Sequence, residues 1–279
     1  MKRIKFTKEE MNYIRENIDK LDYNEMAKTL TSWRGFTITP KQVCGKANHM
    51  GLKRVAPKNY NRDFFNEINT KEKAYWLGFI YADGWISRSK IYAELGIQLA
   101  QKDKQHLIKF CESLGHSNSE QDVVDFMAKR TTIKTTGQII EPRPATQVRL
   151  YSVQLVDNLI EHGISLRKTY SKVSPDFIYG YENNVALLRG FYDGDGSLDK
   201  NGFIHFTAYS DVFLKKVKNF LEELGIETYR IYRESEKKCR LMVKEKSHKK
   251  FLDIIYQDNS YSYLERKYNL YNSLHKTAN

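Results

Sequence analysis

Hydrophobic positions along this chain change their period at about residue 60. Before it they keep helical spacing in three short runs. Met11, Ile14 and Ile18 follow Thr7, with Glu10 at capping-box distance. Met26, Ala27 and Leu30 follow Asp22, with Glu25 at the same offset. Thr39 and Pro40 suit the N-cap and first position of a third helix, KQVCGKANHM, which Gly51 stops. Three helices, with Trp33 between the second and third, predict a small all-α bundle of helix-turn-helix type.

After residue 60 the pattern occurs twice. YWLGFIYADG and LLRGFYDGDG are apolar helical runs ending on Asp83 and Asp195, each followed by glycine. Behind Asp83 comes the alternating strand YAELGIQLA, with Ala93, Leu95, Ile97 and Leu99 on one face and Glu94 and Gln98 on the other. The helix KDKQHLIKFCESLG follows. Behind Asp195 the same order recurs in GFIHFTAY and DVFLKKVKNFLEELG. In the first copy QDVVDFMAKR and TQVRLYS flank a loop holding Pro142 and Pro144; in the second ETYRIYRES and KCRLMVK form a hairpin. VQLVDNLIEHG and SHKKFLDIIYQ close the copies, and YSYLERKYNLYNSL adds a last helix. Each copy reads αββαββα, so the fold class is α+β. The division is 1–58 for the bundle, 59–69 as a tether, 70–166 and 184–279 for the copies, and 167–183 as the linker between them.

Strand parity gives the sheets two characters. Cys239, Leu241 and Val243 share one face, leaving Lys238, Arg240 and Lys244 on the other; Val148 and Leu150 leave Gln147, Arg149 and Tyr151. A solvated face is the ordinary reading of such a sheet. The net charge of +12 favours a polyanionic partner. The bundle alone holds 13 Lys and Arg against 6 Asp and Glu. Its third helix presents Lys41, Gln42, Lys46, Asn48 and His49, followed by Lys53 and Arg54, the cations and amides that phosphate binding and base reading require. A basic protein-binding bundle has the same composition.

Gly78 and Ala82, like Gly190 and Gly194, are spaced i, i+4, giving each helix a stripe on which another helix can pack backbone to backbone. Such contact brings Asp83 and Asp195 together at the negative ends of both helices, where they repel unless a cation intervenes. Oxygen ligands with room for water and phosphate suit Mg²⁺, and metals beside a scissile phosphate can activate water and stabilise the leaving 3′ oxygen. An Asp-Gly turn is the simpler reading of either copy alone. An EF-hand fails because glycine does not fall at loop position six and Ile204 takes position twelve. A glycosidase-like pair leaves the basic sheets unexplained.

Three widely spaced cysteines, Cys44, Cys111 and Cys239, assemble neither a disulfide framework nor a zinc knuckle and suit a reducing compartment. The start MKRIKFTKEEMNYI has no signal-peptide core, and no apolar run has membrane-spanning length. A cytoplasmic protein without membrane association is expected, whether the host is phage, bacterium or organelle.

WLGFIYADG and LRGFYDGDG resemble the two signature helices of a single-chain LAGLIDADG homing endonuclease, from about residue 70 to the end. The first sixty residues resemble the Myb/SANT-like modules attached to DNA enzymes. The resemblance implies a pseudo-twofold monomer whose two saddle-shaped sheets lie in the major groove of a double-stranded DNA target and which uses two or more divalent ions, Mg²⁺ foremost. It implies metal ligation at Asp83 and Asp195, with Ala82 and Gly194 beside them in the metal set. Asp193 takes the earlier acidic position, where the first copy has Tyr81. Basic catalytic positions fall three residues ahead of the N-caps Ser152 and Ser247, at Arg149 and Lys244. Gln101 matches a position that orders metal-bound water, with no match near Tyr209, which makes the half-sites unequal. An intron RNA maturase and a non-cleaving DNA-binding regulator are the competing functions on the same scaffold.

Overall fold

The structure is a computed structural model that describes residues 4–18, 21, 23–52, 60–89, 92–116, 119–132, 139–166, 173–198, 203–209, 211–235 and 238–276. Two compact units are present, Met1–Asn59 and Tyr60–Asn279.

The smaller unit contains α1 (Lys8–Asn17), α2 (Tyr23–Arg34) and α3 (Pro40–His49) around Ile14, Met26, Leu30, Val43 and Ala47. Thr7 with Glu10 and Thr39 with Gln42 form complete capping boxes. Glu10 does more than cap: it is buried and accepts from Arg34 Nη2 at 2.5 Å, and that bond holds its carboxyl below the usual range. Asp22 lies outside the described residues. Trp33 is not an inter-helix core residue. It sits in the last turn of α2, 54% exposed and edge-on to Tyr13 of α1, while Met26, Ala27 and Leu30 are the buried residues of that helix.

The larger unit is of α+β class. Its first half runs α4 (Lys71–Asp83), β1 (Gly84–Arg88), β2 (Ala93–Ala100), a 3-10 turn, α5 (Lys104–Ser113), α6 (Ser119–Asp122), β3 (Val124–Met127), β4 (Thr131–Thr132), β5 (Ile139–Ile140), β6 (Pro144–Leu150) and α7 (Val153–Glu161). Its second half runs α8 (Tyr181–Asp195), β7 (Gly196–Leu198), β8 (Ile204–Ala208), α9 (Asp211–Glu223), β9 (Tyr232–Ser235), β10 (Lys238–Met242), a 3-10 turn, α10 (His248–Tyr256) and α11 (Glu265–Lys276). The two four-stranded antiparallel sheets, β1-β2-β6-β3 and β7-β8-β10-β9, share one strand order.

Several local expectations change. The proline loop of the first half carries a hairpin, β4 with β5, and Pro144 opens β6, where a strand tolerates a missing N–H. ETYRIYRES pairs only over β9, apart from one bridge between Thr228 and Val243. α8 begins at Tyr181, inside the stretch assigned as linker. The tether is partly core: Phe64, Phe65 and Ile68 are buried, and Asn61 N–H donates to Leu114 O at 2.7 Å. Glu94, expected on the solvated face, is buried beneath Arg149 and Tyr92.

The chain end ties both halves together. Ser262 donates from its N–H and its hydroxyl to Glu72 of α4, at 2.9 and 2.6 Å. Arg189 of α8 is fully buried and donates to the carbonyls of Ile255, Asp258 and Ser262, with its guanidinium 3.7 Å from the Tyr261 ring centroid. Those carbonyls include the free acceptors at the end of α10, which gives a buried cation partners without a carboxylate.

A buried polar chain links the halves behind the sheets. His106 Nε2 lies 2.9 Å from the Tyr75 hydroxyl, which donates to Asp193 at 2.8 Å. Burial lowers the His106 pKa to about 3, with Lys109 and Arg266 adding to the effect. The unfolded chain takes up this proton near pH 6.5 and the folded protein only near pH 3, so stability falls on acidification through that window. A loss on the order of 2 kcal/mol is expected between pH 7 and pH 5. Urea midpoints at both pH values check it: His106→Gln should flatten the fall, and an identical fall in both proteins would assign the acid sensitivity elsewhere.

Candidate functional site

The centre of the larger unit is the contact between α4 and α8. A Cβ at Gly78 would collide with Leu187 O and lie 2.9 Å from Phe191 N; one at Gly190 would collide with Tyr75 O and lie 2.9 Å from Phe79 N. The helices therefore touch backbone to backbone at these glycines. Toward the C-terminal ends, a Cβ at Gly194 would meet Ala82 and lie 3.2 Å from Asp83 Oδ2. The Asp83 carboxylate thus rests against the residue preceding Asp195. Each aspartate is the last residue of its helix, and the next glycine closes the turn, Gly84 N–H onto Ile80 O and Gly196 N–H onto Tyr192 O.

Ala82, Asp83, Gly194 and Asp195 are all half-buried, so one side of the pair faces solvent. Among the described residues no group of three or more His, Cys, Asp or Glu side chains is placed to hold a metal ion. The acidic set at the helix ends is a pair, so a cation held there would take its remaining ligands from carbonyl oxygen, water and substrate. That donor set fits a hard cation that keeps part of its hydration, as Mg²⁺ does.

Asp193, two residues earlier, is in a different environment. It is fully buried and accepts from Tyr75 and Tyr256 hydroxyls at 2.8 and 2.5 Å and from Leu264 N–H at 2.8 Å. Burial raises its pKa, against Lys267 and these donors, which lower it. Tyr81, in the matching position of α4, packs its ring on Phe191 and Phe213.

Sequence reasoning missed Lys267 entirely. This α11 lysine donates from Nζ to Gly196 O at 2.6 Å and to Tyr192 O, and stands 4.7 Å from the Tyr192 ring centroid. The residue as a whole is half-buried, and its ammonium is desolvated. Desolvation lowers its pKa to about 8; Asp193, Asp83 and Asp195 pull it back up. In ERKYNL it reads as one more charge on a polar helix, and no spacing in the sequence marks it out.

The basic positions are paired with carboxylates. Arg149 is 3.4 Å from Glu94 and 5.9 Å from the Trp85 ring centroid; Lys244 is 3.1 Å from Glu227 and 6.0 Å from that of Tyr229. Lys238 and Arg240 both reach Glu234 at 3.0 Å. Strand register adds a difference between the halves. Gly84 pairs Ile97, which pairs Val148, while Gly196 pairs Phe206, which pairs Leu241. Counted from those rungs, Arg149 corresponds to Met242, and Lys244 to Tyr151. Gln101 is exposed and hydrogen-bonded to Asp125; its counterpart by the same count, residue 210, lies outside the described residues. Gln147 is half-buried opposite Gln98, and Tyr151 is exposed.

On α3, Lys41, Asn48 and His49 are exposed and Lys46 is half-buried. Gln42 is turned toward the N-cap, accepting from Thr39 N–H at 2.8 Å. Lys53 and Arg54 lie outside the described residues. No described helix is long and apolar enough to cross a membrane.

Residues 182–266, most of the second half, match the family described as LAGLIDADG-like domain. No curated protein matches the chain. Among solved structures, the chain is similar to I-DmoI in complex with DNA and Ca, at 16% identity and a TM-score of 0.49, over 74% of this chain and 100% of that one. It is similar to I-WcaI bound to its DNA recognition sequence, at 12% identity and a TM-score of 0.45, over 76% and 91%. It is also similar to the N-terminal LAGLIDADG domain of DUF199/WhiA, at 16% identity and a TM-score of 0.40, over 75% and 96%. At these identities the chemistry has to be read from the chain's own residues.

Proposed function

We propose that the protein is a site-specific double-strand DNA endonuclease of the homing type, dependent on divalent ions, with Mg²⁺ the natural one. The observation that carries this reading is the convergence of Asp83 and Asp195 at two helix ends joined through Gly78 and Gly190. Both carboxylates hold the ions, with the backbone at Ala82 and Gly194 beside them. When bound, the ions supply Lewis acidity for attack of water on phosphorus and for departure of the 3′ oxygen.

The chain's own groups do the rest. Arg149, on the inner strand β6, and Lys244, just beyond the inner strand β10, exchange their glutamate partners for backbone phosphate, stabilising charge that develops there. Gln147, Tyr151, Lys238 and Arg240 present the sheets to the DNA, and Gln101 helps to order water near the first ligand. Lys41, Lys46, Asn48 and His49 of the smaller unit, with Lys53 and Arg54, add phosphate and base contacts, as a helix-turn-helix module would. A monomer in the cytoplasm is the working form, since both aspartates come from one chain.

The test needs no known target. A pool of random duplexes is incubated with the protein in Mg²⁺ or EDTA, and the new ends are sequenced. Ends converging on one sequence, in Mg²⁺ only, support the reading. Selective binding without new ends would make the protein a regulator, and cleavage undiminished in EDTA would remove the metal.

A further inference from the structure

We propose that Lys267 is a resident counter-charge for the aspartate pair, an ammonium brought by the last helix to the junction of α4 and α8 so that the acidic site stays assembled before any metal arrives. This rests on the reading of Asp83 and Asp195 as metal ligands. Four like-signed groups meet at the junction: two carboxylates and the carbonyl ends of two helices. Such a cluster stabilises the bound state of a metalloprotein and strains its empty state. Lys267 Nζ answers one of those carbonyls directly, Tyr192 O of α8, the acceptor that also closes the turn after Asp195, and bonds the adjoining Gly196 O at 2.6 Å. Two anchors just before it hold the lysine in that place. Leu264, three residues before it, is bonded to Asp193 at 2.8 Å, and its neighbour Arg266 pairs with Asp103 of the first half at 3.2 Å.

The lowered affinity of this ammonium for its proton, and the opposing pull of Asp83 and Asp195, agree with an ammonium that is both desolvated and within electrostatic reach of the pair. It follows that ammonium and metal oppose each other. The charge that steadies the empty site also weakens its attraction for a divalent ion, so a second attraction, the substrate phosphate, is needed for full occupancy. Lys267 is a positioning residue in this account and touches no reacting atom.

Thermal melting of the DNA-free protein in EDTA and across a Mg²⁺ titration tests the proposal. Lys267→Met and Lys267→Gln should melt below wild type in EDTA, and the gap should narrow as Mg²⁺ fills the junction. The Mg²⁺ concentration giving half the stabilisation should fall about tenfold, the size expected for removing one charge bonded to the residue after Asp195, across a partly solvated site. Lys267→Arg should keep the wild-type midpoint. If the methionine variant does not fold, the Gln and Arg pair carries the same comparison. A gap of equal size in EDTA and in Mg²⁺ would reduce Lys267 to an ordinary helix cap. Asp195→Asn separates the two layers: Mg²⁺ stabilisation abolished by it confirms the ligand even when Lys267 fails, and melting insensitive to Mg²⁺ in every protein overturns both.

Discussion

Asp195→Asn is expected to lower the DNA-cleavage rate by about a thousandfold while DNA affinity and melting temperature stay close to wild type. The amide keeps the shape of the half-buried side chain and removes one of the two charges that attract the metal. Loss of transition-state stabilisation of roughly 4 kcal/mol corresponds to that factor. Asp193→Asn, two residues away, should show the opposite pattern. Asp193 has no solvent-facing edge and accepts three hydrogen bonds on its two oxygens. An amide accepts through one oxygen only and leaves a buried donor unpaired, a cost of about 1–3 kcal/mol in stability. Single-turnover cleavage and urea melts on both variants decide the matter. If Asp195→Asn cleaves at the normal rate, the metal-centre reading is wrong; if both variants lose only stability, neither aspartate is a ligand.

The second large effect is expected at Gly190. Its added Cβ meets Tyr75 O, Tyr75 C and Phe79 N, all backbone of a helix that is itself buried, so no side chain can move aside. Alanine improves helix propensity by about 1 kcal/mol over glycine. Overpacking costs typically 1–3 kcal/mol and more where nothing yields. The steric effect wins, and Gly190→Ala should lower the melting temperature by roughly 5–10 °C. It should also weaken Mg²⁺ stabilisation, because separating the helices lifts Asp83 away from Gly194. Gly45, inside α3 with nothing within 4 Å of its added Cβ, is the control: its alanine variant should be neutral or stabilising. An unchanged melting temperature for Gly190→Ala would show that the helices part without cost.

The features that sequence revealed were those enforced by a repeating constraint. The i, i+4 small residues admit one kind of partner, another backbone, so the contact of α4 with α8 was legible from Gly78 and Gly190. The twofold αββαββα order was legible because both copies bury the same faces. What escaped depended on pairings made across the fold. Glu94 alternates as a solvated residue should, but Arg149 and Tyr92 close over it. Residues 60–68 look like a tether because Asn, Arg and Asp surround the two phenylalanines that enter the core. Lys267 becomes special only when the chain end returns to α8, and the offset between Arg149 and Met242 appears only once the rungs are counted from Gly84 and Gly196.

The glycine contact also bears on how the protein is made. α4 buries eight successive residues, Ala74 to Tyr81, and one side of it has no cover within its own half. Asp195 follows Asp83 by 112 residues. At synthesis rates of about 5–20 residues per second, that side waits roughly 6–20 s for α8, and slightly longer for the closing bonds of Leu264 and Lys267. During that interval the growing chain carries an apolar stripe shaped to accept any helix with small residues at the right spacing. Translation speed between the two halves therefore sets how long that stripe stays uncovered.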